Sequence, residues 1–138
     1  MGIHELTSGF QSQITFMKIE KINIQEKLDT INDYWNPKIA GKLNGQLIKL
    51  VKFKGEFVWH KHDNEDEMFL VLNGEFKMEL RDKTLTISKG DFIIIPKGTE
   101  HWPVADTEVH VMLFEPESTL NTGDASESDL TRHHLREI

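Results

Sequence analysis

The sequence predicts an antiparallel all-β sandwich or barrel, and three observations predict it. From about residue 40 to residue 116, apolar residues alternate with polar ones or gather in short runs, the pattern of strands whose alternate side chains share a face. Glycine-containing turns divide this region into short segments at roughly ten-residue spacing, as in sandwiches and barrels. No long helical pattern falls between the segments, which argues against βαβ units and a parallel sheet.

Residues 1–16, MGIHELTSGFQSQITF, are weakly patterned and read as an extension or a loosely attached strand, with His4 a bystander. In residues 22–31, Ile24, Leu28 and Ile31 stand at helical spacing, which predicts a short amphipathic helix that ends before Asn36-Pro37. Asn44-Gly45 reads as a hairpin turn leading into a strand over residues 46–53, and Lys54-Gly55 as a break before a further strand, FVWHKH. The run MFLVL after Glu67 is the next strand, and Asn73-Gly74 is the strongest hairpin signal in the chain. Residues 75–80 turn Phe76, Met78 and Leu80 inward, and residues 84–88 do the same with Leu85 and Ile87. The apolar run of DFIIIP, a turn at Gly98 and a strand over residues 109–116 complete the domain, read as residues 17–116. Residues 117–138 form a polar tail that Leu130, Leu135 and Ile138 could anchor.

Composition narrows the function. With 138 residues the chain holds one domain with a sufficient core. It has no cysteine, which excludes disulfides, thiolate metal sites and cysteine nucleophiles. A formal net charge of −7 with no basic cluster argues against nucleic acid as a partner. No segment has the length of a membrane span, and the N-terminus lacks the order of a signal peptide. The expectation is a cytoplasmic protein with neither nucleic-acid nor membrane partners.

The stretch GEFVWHKHDNEDEMFLVLNG, residues 55–74, carries the chemistry. In an extended VWHKH segment, His60 and His62 point one way and Trp59 and Lys61 the other. Two imidazoles on one strand and the Glu67 carboxylate on the next can converge on one ion. The plain alternatives are histidines exposed on an edge strand, and Glu67 as one more member of the acidic run with Glu65 and Asp66.

Laid end to end, these segments resemble the cupin family. His60, His62, Glu67 and Gly74 match its first motif, with Gly55 one residue closer to His60 than the family pattern. Gly90, Pro96, Gly98 and His101 match its second motif, whose final Asn is Ala105 here. The short spacing between the motifs is similar to that of small single-domain bacterial cupins, and the flanking residues 115–124 look like the subgroup often labelled sugar-phosphate isomerase-like. The resemblance implies a cupin β-barrel (double-stranded β-helix, or jelly roll) with a short N-terminal helix. It also implies that His60, His62, Glu67 and His101 bind one divalent metal ion per chain. Three imidazoles and a carboxylate suit Fe, Mn, Ni, Co, Cu or Zn without choosing among them.

Cupins include isomerases, epimerases, dioxygenases, decarboxylases, storage proteins and sensors, so fold does not select the activity. The expectation is a metal-dependent enzyme of isomerase or dioxygenase type acting on a small polar molecule; the alternative is a non-catalytic ligand-binding or sensing module. His110, within an apolar strand, is a candidate catalytic acid or base or else a hydrogen-bonded core residue. With Glu67 facing inward, Met68, Leu70 and Leu72 lie on the other face of their strand. A strand apolar on both faces needs a second layer or another subunit, and a homodimer is expected.

Overall fold

The computed structural model describes residues 18–138; the proposed N-terminal extension and His4 lie outside them. The helix is shorter than its pattern. α1 spans Ile24–Leu28, with the Asn23 side chain accepting from Glu26 N at 2.9 Å. It closes in tighter i→i−3 turns, Thr30 N to Lys27 O and Ile31 N to Leu28 O. Leu28 and Ile31 are buried.

Seven strands follow: β1 (Lys38–Leu43), β2 (Gln46–Glu56), β3 (Glu67–Asn73), β4 (Glu75–Leu80), β5 (Thr84–Ser88), β6 (Phe92–Ile95) and β7 (His101–Pro116). They form one sheet in the order β1-β2-β7-β3-β6, with β4 pairing β5 and β7. The sixteen-residue β7 is the spine and pairs antiparallel with β2, β3 and β4. Among the described residues, predominantly antiparallel sheet with one short helix is the all-β barrel the sequence predicts.

Three local expectations change. Asn44-Gly45 does turn a hairpin between β1 and β2, with φ of 52° and 78°. Asn73-Gly74 does not: β3 and β4 both pair with β7 rather than with each other. Gly74 (φ 84°) instead redirects the chain along β7, so close that a Cβ there would meet Glu108 O at 3.0 Å. The break expected at Gly55 is a register shift within β2, which continues to Glu56. Lastly, the segment read as the strand FVWHKH is mostly irregular, with a single bridge from His60 to His101.

Inside the barrel, β2, β3 and β7 turn Val51, Phe53, Phe69, Val71, Val109 and Val111 into a core that β4 and β5 close with Phe76, Met78 and Ile87. On the outer face α1 covers Leu50, with Leu72, Met112 and Ile138 packed around it. Residues 117–138 lie along the barrel. Ile39 N donates to Arg136 O and Ile138 N to Ile39 O, while Leu130 packs on the core. No described helix is long and apolar enough to cross a membrane.

Candidate metal centre

Four residues from three parts of the chain meet at one end of the barrel interior. Residues 57–62 are held against β7 by paired backbone bonds, His60 N to His101 O (3.0 Å) and His101 N to His60 O (2.9 Å). Gly98 N donates to His62 O at 2.7 Å, and Asp124 N to Lys61 O at 3.1 Å. The expected facing of His60 and His62 therefore arises without a regular strand: both are buried, while Lys61 is half-buried. Glu67 opens β3 and His101 opens β7.

The four residues are 0–4% exposed, and one potential ligand atom from each lies within 4.8 Å of the others. His101 Nε2 is 3.3 Å and His62 Nε2 3.4 Å from Glu67 Oε1. His60 Nδ1 faces Val58 O and His101 Nδ1 faces Thr99 O, both at 2.8 Å. A carbonyl oxygen only accepts, so each of these Nδ1 atoms donates, which leaves the Nε2 of each ring to face the cluster. Burial, reinforced by His101, pushes the His60 pKa down to about 4, so this ring is neutral at pH 7. Burial acts to raise the Glu67 pKa, but the His101 and His62 rings beside the carboxylate outweigh it and hold the carboxyl well below the usual range. His62 Nε2 is buried without a hydrogen-bond partner.

Where the rings are neutral, their lone pairs and the carboxylate oxygen face one another out of water and repel unless a cation lies among them. The donor set of three nitrogens and one oxygen fits a divalent transition metal, and backbone carbonyls fix the tautomers of two of the rings, as metal-binding histidines require. The residues could hold such an ion.

His110 is not brought to this cluster. It stands on the outer face of β7, out of phase with Val109 and Val111, and its Nε2 lies 2.8 Å from Glu108 Oε2. Of the tail histidines, His133 pairs with Glu127 at 2.9 Å and His134 is exposed. Two residues that sequence reasoning missed stand beside the cluster: Lys49 and Glu115, each 1% exposed, with Nζ–Oε2 at 3.6 Å. Burial and the neighbouring Glu67 push the Glu115 carboxyl well up. Their signal was parity, since Lys49 is in phase with Leu47 and Val51, and Glu115 with Val111 and Leu113.

A cavity of about 30 Å³ adjoins His60 and Glu67. Its other walls are Trp35, Pro37, Val51, Phe53, Phe57, Phe69, Pro103, Leu113 and, from the tail, Asn121. That volume admits about two water molecules.

Comparison with known proteins agrees with this geometry. The family described as "Cupin domain" matches residues 49–117. Uncharacterized protein YdbB of Bacillus subtilis (strain 168) is 41% identical over 61 residues, 44% of this chain and 54% of that protein; the match thus spans about half the length of this curated relative. Among solved structures, a cupin-2 domain containing protein from Shewanella frigidimarina NCIMB 400 is 41% identical, with a TM-score of 0.69 over 70% of this chain and 94% of that one. Protein NMB1881 from Neisseria meningitidis is 29% identical, with a TM-score of 0.66 over 71% of this chain and 100% of that one. The family match, the antiparallel barrel and the two histidine motifs agree: this chain belongs to the cupin family.

Proposed function

We propose that His60, His62, Glu67 and His101 bind one divalent transition-metal ion per chain, and that the protein is a metal-dependent enzyme acting on a small molecule beside that ion. The observation that carries this reading is the convergence of three buried imidazole rings on the Glu67 carboxylate. When bound, the ion would supply Lewis acidity or redox chemistry. The protein's own part is to hold the rings through Val58 O and Thr99 O, and to keep bulk water out with an aromatic wall.

The cavity refines the expected substrate. The small polar molecule predicted from sequence would find few partners on these walls. An apolar cavity with room for about two waters suits dioxygen or a small apolar group, which favours the dioxygenase type over the isomerase. The second reading is a non-catalytic ligand-binding module. It is favoured by the lining of the cavity, where, apart from His60 and Glu67, no side chain can serve as a general acid or base.

Elemental analysis of protein purified without chelator or nickel resin, paired with melts before and after EDTA, tests metal binding. Near-stoichiometric metal and a Tm loss on the order of 10 °C are expected, because an ion at about a hundred times its Kd adds about 2.7 kcal/mol. No metal, and no shift when metals are restored, would sink the four-residue assignment. Turnover is tested by mass analysis of candidate substrates in air and under argon: oxygen-dependent product that vanishes in His62→Ala supports the enzyme, and saturable binding without product supports the module.

The chain is also read as a homodimer. What supports this is the outer face of β3 and β6, where Phe92 is 60% and Ile94 57% exposed beside half-buried Leu70 and Met68.

A further inference from the structure

Behind the proposed ligand Glu67 stands a pair of buried charged residues with no part in the reading above. β3 and β7 pair Met68 with Phe114 and Phe69 with Leu113, so Glu67 and Glu115 are the next couple along and both turn inward. β2 and β7 pair Leu47 with Glu115 and Lys49 with Leu113, which puts Lys49 diagonally across from Glu115. Lys49 Nζ is 3.6 Å from Glu115 Oε2, and the strand register sets the buried Glu115 directly across from Glu67. All three residues are 1–3% exposed, and Glu115 Oε2 has no hydrogen bond.

A buried ion pair does little for stability compared with well-packed apolar residues of the same volume, so its presence beside a ligand calls for another role. Glu67 has three rotatable bonds, and its Oε1 must face two rings at once. His62 and His101 face its oxygen, and Glu115 is its neighbour on the adjoining strand.

We propose that Glu115, anchored by Lys49, is a positioning residue that fixes the Glu67 side chain so that its oxygen is aimed at His62 and His101. The cluster is then a five-residue assembly plus an anchor rather than four ligands alone. An amide at position 115 keeps the shape and place of the side chain and can accept from Lys49, so Glu115→Gln retains the arrangement. Leucine cannot.

The test compares the wild type, Glu115→Gln, Glu115→Leu and the double variant Lys49→Met/Glu115→Leu. The double variant guards against misfolding, because it leaves no unpaired buried charge. The first readout is the ring nitrogen resonances of the histidines in metal-free protein. The apolar variants are expected to move those of His62 and His101 but not that of His133, and Glu115→Gln to leave them near wild type. The second readout is Co(II) affinity and visible spectrum, which rests on the metal-binding reading. The apolar variants are expected to bind about 10- to 100-fold more weakly with an altered spectrum, and Glu115→Gln to be rescued.

If wild-type protein takes up cobalt and the double variant matches it in affinity and spectrum, the positioning role is overturned while metal binding stands. If the wild type takes up no cobalt, the rings decide. Shifts confined to His62 and His101 and rescued by glutamine support positioning although the metal reading has failed; unmoved rings overturn both.

Discussion

The two faces of the sheet depart from the usual segregation of apolar and polar residues in opposite directions. On the inner face, the apolar rows of Val51, Val71 and Val111 give way at one end to Lys49, Glu67, Glu115 and the three histidines, all nearly sealed from water. On the outer face, the row Leu50, Met112, Leu70, Phe92 runs from 1% exposed beneath α1 to 60% exposed on β6. A buried charge and an exposed large apolar side chain are the informative exceptions in a folded protein. They differ in kind. The inner exception is held in place against its desolvation cost by the apolar layer beside it, and a cation would relieve it. The outer one costs the isolated chain little and is relieved by contact with another surface.

The comparison breaks most readily at the apolar half of the inner face. Phe76 is 2% exposed and packs edge-on to Phe53 at 5.2 Å between ring centroids. Phe76→Ala is expected to cost about 3–5 kcal/mol, read by chemical denaturation, and to weaken metal uptake only through unfolding. A normal melt would mean that the core does not hold the polar end in place.

The polar half should respond to acid. The folded pKa of His60 is about 4, against an ordinary value of 6.5. The unfolded chain therefore takes up a proton first as pH falls. Stability present above pH 6.5 is lost between about 6.5 and 4, by about 3 kcal/mol for a shift of this size. Glu67 acts in the same sense: its depressed folded pKa stabilises the protein above the unfolded value of 4.5 and ceases to do so as pH falls below it. Denaturation of metal-free protein at pH 7, 5.5 and 4.5 measures the slope, and His60→Gln should flatten its upper part. A flat profile in the wild type would mean that the ring is hydrated.

Much of this was legible because β4 and β5 alternate cleanly and their turns are charged or glycine-bearing. The motif spacing singled out His60, His62, Glu67 and His101, which the fold does bring together. The long strand β7 was not legible from its start. Pro103 and the polar run Asp106, Thr107, Glu108 interrupt the apolar alternation, although Pro103 lies within β7 opposite Met78 and uses only its carbonyl, which accepts from Phe57 N. Asn73-Gly74 carried the local chemistry of a hairpin, but β7 supplies a partner for each flanking strand. Local turn preference yields to such long-range pairing. Lys49 and Glu115 were passed over because charged residues in strands default to solvent, though their parity placed them inside. The same parity places His110 outside.

The smallest effect on folding should come from the outer exception, and that is what makes it diagnostic. Phe92 and Ile94 are more than half exposed on β6, the last strand in the order, and their outer-face neighbours Leu70 and Met68 are half-buried. Substituting both with serine removes exposed apolar surface and no buried contact, so stability of the isolated chain should change by less than about 0.5 kcal/mol. Association should change far more, because large apolar side chains at the centre of an interface carry most of its energy. Sedimentation across a concentration series separates the two. A wild-type dimer that becomes a folded, metal-binding monomer in Phe92→Ser/Ile94→Ser assigns the outer face to a second copy and leaves the inner site intact. A dimer unchanged by the double substitution places the contact elsewhere, and a variant that loses metal along with its partner would show that the two faces depend on each other.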